Sequence, residues 1–333
     1  TSFTGDGLLY WNTSSVTTLS SFGNQGTFRG ATSFTGDGLL HWDMSRVTDL
    51  SRAFHFCSSF TGDGLINWDT SGVTSLQETF EGASAFTGDG LLNWDTSRVT
   101  DLHQTFKGAS SFTGDGLINW NTASVTWMTH TFFRASSFTG DGVSNWNTSR
   151  VTDLRRAFSG ATAFTGHGVS NWDISSVTTL SRVFLDASSF NADLSNWVTS
   201  KVVSLYMTFY NSISFTGDGV SNWDTSSVTT LELAFYNATS LTGDVISTWD
   251  TSKVKVLKGT FANSILFNGD LSRWNTTSVT DMYGAFAGTW YHTIALSKIN
   301  ASRQTQVLTK MHEHRYKFID GRDYRELGRI KCD

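Results

Sequence analysis

Apolar residues recur along this chain at fixed steps, with no long apolar runs. From Trp94 the sequence runs through a polar Asp-Thr-Ser-Arg stretch to Val99, Leu102, Phe106, Ala109 and Phe112. The same pattern returns with tryptophan at 11, 42, 68, 94, 120, 146, 172, 197, 223, 249 and 274. Of the ten intervals, seven are 26 residues, two are 25 and the first is 31. Self-similarity at this period identifies a solenoid of about eleven coils, one per tryptophan, and outranks any local secondary-structure reading.

Valine stands five residues after each of these tryptophans, from Val16 to Val279, followed three residues on by Leu or Met. A position that stays apolar in every coil faces inward. The expected core is therefore Trp68, Val73, Leu76, Phe80 and Phe86 in one coil, and Trp94, Val99, Leu102, Phe106 and Phe112 in the next. The β-branched Thr-Ser-x-Val-Thr run favours a short parallel strand per coil. Ser and Thr density opposes a long helix. We expect a short helical or 3-10 turn around Phe-x-x-Ala and turns at Gly-Asp-Gly. At about 4.8 Å per coil, such a stack is roughly 50 Å long. The wider first interval reads as a surface loop inserted near Ser20 to Thr27. The repeat ends at Gly288, so the expected organisation is a solenoid over 1–288 and a basic segment over 289–333 that caps it or is partly disordered.

Composition sharpens this picture in a few respects. Proline is absent, against a usual share of about 5%. The net charge of −5 divides into −9 over the repeats and +4 from Thr289 onward. An acidic array lacks the basic stripe of a nucleic-acid binder. No stretch of 18 apolar residues suggests a membrane span. The two cysteines make no disulfide framework, and Cys57 replaces the alanine of other coils as a small buried filler. Opening at Thr1 inside a repeat, the chain reads as a processed protein or a fragment.

The segment Phe190-Asn191-Ala192-Asp193-Leu194-Ser195-Asn196-Trp197, with Ser200-Lys201-Val202, resembles the 26-residue repeat of bacterial surface proteins in the BspA-like leucine-rich-repeat group. Trp223-Asp224-Thr225-Ser226-Ser227-Val228-Thr229 is similar to that repeat almost letter for letter, and the likeness extends over residues 1–288. It implies a β-rich leucine-rich-repeat-like solenoid, an extracellular or cell-surface setting, and adhesion or protein binding rather than catalysis. Most coils depart from it in reading Gly-Asp-Gly, one residue longer, and a chain without proline has no Leu-Pro-x-Thr-Gly sorting signal.

Candidate chemistry is sparse. The turn aspartates Asp37, Asp63, Asp89, Asp115 and Asp141 would stack at about 5 Å, repelling by about 0.8 kcal/mol per neighbour in water. Calcium between coils would offset that, but the favoured reading is that each carboxylate accepts backbone N–H bonds of its own turn, and His167 interrupts the series. A threonine column from Thr17 to Thr280 is the weaker case for an ice-binding face, interrupted by Val203 and Lys255. Bases alternate with small residues four positions after Trp (Arg46, Arg98, Arg150, Lys201, Lys253), which keeps like charges about a Debye length apart. Consecutive asparagines before the tryptophans, Asn67 to Asn222, suggest an amide ladder between coils.

Two residues before Trp, the early coils carry Leu9, Leu40, Ile66, Leu92 and Ile118 where later coils carry serine. Outward-facing, this stripe would contact a partner protein or a second copy of the chain; inward-facing, it marks a locally wider core. No Ser/His/Asp or Cys/His order connects the scattered histidines, and no cofactor is implied. The reading is a non-enzymatic surface-binding module, with a ligand-free structural spacer as the alternative.

Overall fold

The computed structural model describes residues 3–21 and 25–289. The expected basic segment lies outside the described residues apart from Thr289, which is buried at the end of the last coil. Within the described residues the chain is a repeat solenoid built almost entirely from turns. None of the described helices is long and apolar enough to cross a membrane.

In the coil from Gly88 to Phe112, a chain of i→i+3 backbone bonds closes on one buried residue after another. The amides of Leu91, Trp94, Val99, Thr105, Ala109 and Phe112 bond to the carbonyls of Gly88, Leu91, Thr96, Leu102, Phe106 and Ala109. Three-residue steps thus carry the chain around the coil, and the apolar period of three or four follows from that. The Gly-Asp-Gly segment turns through Gly88 and Gly90, both at positive φ. A Cβ on Gly88 would lie 2.4 Å from the Asp115 carbonyl of the next coil. Only glycine lets the coils approach so closely there.

The expected strand shrinks to one parallel bridge per coil, Ser75 to Asp101 and Asp101 to Trp127 for example. The expected 3-10 turn at Phe-x-x-Ala is instead a type II turn, because Gly108 sits at φ +70° and cannot extend a helix. Short 3-10 pieces occur elsewhere, at Leu8–Tyr10, Val220–Asn222 and Asp244–Ile246. The insertion is a hairpin rather than a plain loop, pairing β1 (Ser20–Ser21) with antiparallel β2 (Gln25–Gly26).

The core is columnar. Phe80 and Phe86 stack within one coil at 4.2 Å between centroids, and Phe80 continues to Phe106 in the next at 5.7 Å. Tryptophans form a second column, with Trp68–Trp94 at 6.2 Å and Trp94–Trp120 at 6.3 Å. In this column, each indole N–H from Trp42 to Trp274 donates to a carbonyl of the preceding coil, as Trp94 does to Leu65. The expected core residues of both coils, Trp68 to Phe112, are at most 2% exposed. Buried threonines are satisfied in the same way: Thr96 donates to the Asn121 carbonyl and Thr105 to that of Leu76. Leaving such groups unpaired would cost about 1–3 kcal/mol each.

Candidate interaction surface

Between the bridge residue and the Phe-x-x-Ala alanine, the backbone runs as two consecutive type II turns whose alternate amides point to the next coil. From Leu102 to Ala109 every backbone N–H has a partner. Leu102, Gln104, Phe106 and Gly108 donate forward to Trp127, Thr129, Thr131 and Phe133, and Thr105, Lys107 and Ala109 close turns. His103 donates to the Asp101 carboxylate. Positions 11, 12 and 15 after Trp (Thr105, Phe106, Ala109) are buried, whereas the side chains at positions 9, 10, 13 and 14 lie on the coil's outer side, most of them half-buried or exposed, with His55, Glu78 and Glu81 buried against their neighbours.

Sequence diversity collects at these outward positions. Elsewhere the coil is copied nearly letter for letter, whereas position 10 reads Arg52, Glu78, Gln104, His130, Arg156, Arg182, Met207 and Leu233. Position 13 includes His55, Glu81, Lys107, Phe133, Leu185, Tyr210 and Tyr236. Every described non-glycine residue with positive φ lies at position 10 or 14, those of position 10 at φ 54–60°. This left-handed backbone is unfavourable for an L side chain by about 1–2 kcal/mol. Gly259 and Gly284 occupy the same position in later coils, so the fold itself needs no side chain there.

Three chemistries follow one another along the strip. At the N-terminal end, Glu78 takes two bonds from Arg52, at 2.7 and 2.8 Å, and lies 3.9 Å from His55 Nε2. Glu81 faces His55 Nε2 at 3.5 Å and Lys107 Nζ at 2.8 Å. Burial pushes both carboxyl groups up, but the hydrogen bonds and neighbouring cations outweigh it and hold them below the ordinary glutamate range. His55, Glu78 and Glu81 are the one group of three among the described residues close enough to share a metal ion. Arg29 donates to His55 Nδ1 at 2.9 Å, which puts the neutral ring's proton on Nε2, toward the carboxylates. The ligand atoms of this set are therefore already occupied by Arg29, Arg52 and Lys107.

In the middle, Arg134, Arg156 and Arg182 converge beside Phe133. Nearby, burial above all, helped by Arg156 and other cations, pushes His130 down to about 4, and its Nδ1 has no hydrogen-bond partner. Toward the C-terminal end, Tyr210 and Tyr236 stack at 4.5 Å, and Asn237 donates to Asn211, which donates to Asp186. Trp127, outside the tryptophan column and 58% exposed, stands at the bridge position beside the strip.

A model of the family described as "Mycoplasma protein of unknown function, DUF285" matches residues 1–64, 48–143, 139–221 and 204–321. The chain belongs to the DUF285 family. None of the curated proteins matches it. Among solved structures, it is similar to a leucine-rich repeat protein from Eubacterium ventriosum ATCC 27560, at 15% identity over 74% of this chain and 81% of that one, with a TM-score of 0.30.

In this DUF285 chain the residues singled out from sequence fall elsewhere than the strip. Leu9, Leu40, Ile66, Leu92 and Ile118 are 39–46% exposed, an outward stripe rather than a wider core. The carboxylates of Asp37, Asp63, Asp89, Asp115 and Asp141 do not converge in threes. Each accepts from the threonine two residues before it at 2.9–3.0 Å, a side-chain hydroxyl rather than the backbone amide expected for a turn. The asparagines before tryptophan do not ladder with one another: Asn93 and Asn119 donate to backbone carbonyls of the preceding coil. The amide ladder exists at position 14 instead, through Asn211 and Asn237. The sameness of the repeats does not mark the strip. Column-by-column diversity was the signal that marks it.

Proposed function

We propose that this chain is a non-enzymatic binding module whose variable strip contacts a partner protein, in an extracellular or cell-surface setting. One observation carries the reading: eight successive coils keep a large side chain at a left-handed position that glycine fills in later coils. The summed strain is on the order of 10 kcal/mol. Outside the Arg52–Glu78 ion pair, which joins two coils, strain retained where the fold does not need it points to use of the side chains. Half-buried Arg, Tyr and Phe beside an exposed Trp also form the composition from which binding hot spots are drawn. The BspA-like likeness of the repeat agrees with adhesion, and the ligand-free spacer gives no reason for the strained column.

The test is binding of the labelled chain to intact host cells and to immobilised matrix proteins. Saturable binding lost on replacing Trp127, Phe133, Tyr210 and Tyr236 with serine, but kept when Arg46, Arg98 and Arg150 are replaced, supports the strip. Binding indifferent to the first set, or no saturable binding, refutes it. A second reading rests on the exposed stripe Leu9, Leu40, Ile66, Leu92 and Ile118, which would join two copies through their N-terminal coils.

A further inference from the structure

Cations of the strip fall into two groups. Arg52, Lys107, Arg155 and Lys258 each meet a carboxylate, those of Glu78, Glu81, Asp153 and Glu232. Arg134, Arg156 and Arg182 have no ion-pair partner among the described residues. They line one open groove of about 210 Å³ together with Phe133, Leu185 and Asp186. Aromatic rings hold these guanidinium groups: Arg134 and Arg156 lie 5.1 and 5.9 Å from the Phe133 centroid, and Arg182 lies 4.8 Å from that of Tyr206. Arg182 also donates from Nε to Met207 Sδ at 3.5 Å and from Nη2 to the Tyr206 hydroxyl at 3.3 Å, which positions it, whereas ring faces leave the N–H edges of Arg134 and Arg156 to bond in-plane acceptors. Burial and the charges of Arg182 and Arg134 lower the proton affinity of Arg156, so the three cations repel one another where they stand.

We infer that this groove takes the carboxylate side chains of an acidic peptide segment on the partner protein, a refinement that rests on the binding role proposed above. Paired planar N–H donors match the two oxygens of a carboxylate. The groove's volume suits one or two side chains rather than a folded surface. Its charge suits them too: three arginines against Asp186 leave +2, and Asn211 fixes Asp186 in place with a 2.7 Å bond. A polyanion such as a nucleic acid or sulfated glycan would extend beyond the groove. Beyond it, the strip's cations Arg155 and Lys258 are already paired with Asp153 and Glu232, in repeats whose net charge is −9.

The experiment titrates the full chain with a fluorescein-labelled Ser-Glu-Glu-Tyr-Ser peptide, its Gln-Gln counterpart, and a sulfated oligosaccharide, measuring anisotropy at 0.15 M salt. The Glu peptide is expected to bind saturably and the Gln peptide at least tenfold more weakly. Arg156→Gln and Arg182→Gln should each weaken the Glu peptide about tenfold with no loss of thermal stability. Arg156→Lys should fall between wild type and Arg156→Gln. Equal binding of the two peptides, no effect of the Gln substitutions, or tighter binding of the oligosaccharide overturns the assignment. Cell binding separates the two claims: if the aromatic strip variants abolish it while Arg156→Gln does not, the groove assignment fails and the strip stands. If neither matters, the strip fails as well.

Discussion

Arg52 reaches from one coil to grip Glu78 in the next, Nε to Oε2 at 2.7 Å and Nη2 to Oε1 at 2.8 Å, and both residues stand on left-handed backbone. Two side chains 26 residues apart thus form one forked ion pair because the coils stack in register. Arg52→Gln leaves Glu78 buried with one cation fewer and is expected to destabilise by about 2 kcal/mol at pH 7.

The same pair sets an acid limit. Glu78 and Glu81 are held below their ordinary value of 4.5, so their contribution is complete above that pH and is lost as pH falls through the folded-state values. The difference in melting temperature between wild type and Arg52→Gln should therefore shrink below pH 4.5. A difference unchanged from pH 7 to pH 3.5 would show that charge is not its source.

His130 predicts a second pH window. Its folded-state value of about 4 lies below the unfolded value near 6.5, so the unfolded chain takes up the proton first. Its stability contribution is whole above pH 6.5 and declines as pH falls toward 4. His130→Gln should lose less melting temperature than wild type between pH 7 and pH 5, measured calorimetrically. Parallel curves would contradict the assignment.

The outer apolar stripe gives a test of self-association. Replacing Leu40, Ile66 and Leu92, which are 39–46% exposed, with serine should leave the melting temperature within a few degrees, because little buried area is lost. Sedimentation should show less association than wild type at high concentration. Collapse of the fold would return these residues to the core.

Much of the fold was legible because burial repeats. A Val, Leu, Phe or Trp column that stays apolar through successive coils has no other simple cause, and Val99, Leu102, Phe106 and Trp94 are all buried. Turn type was not legible: Gln104 and Leu233 carry no local preference for φ > 0, and inter-coil bonds from their amides to Thr129 and Lys258 impose it. The strip was hidden for a related reason. Periodicity marks what every coil shares, whereas a binding face consists of what each coil does differently. Residues such as Phe133 and Arg156 meet only through stacking, 23 positions apart in sequence.

The most direct test compares glycine with alanine at two left-handed positions, Gln104 and Met207, by calorimetric melting. Both substitutions remove the side chain's contacts, but only glycine relieves the backbone at φ 56° and 54°. The strained-column account predicts that each glycine variant is more stable than its alanine counterpart by about 1 kcal/mol. Alanine variants as stable as the glycine variants, or more so, would contradict it.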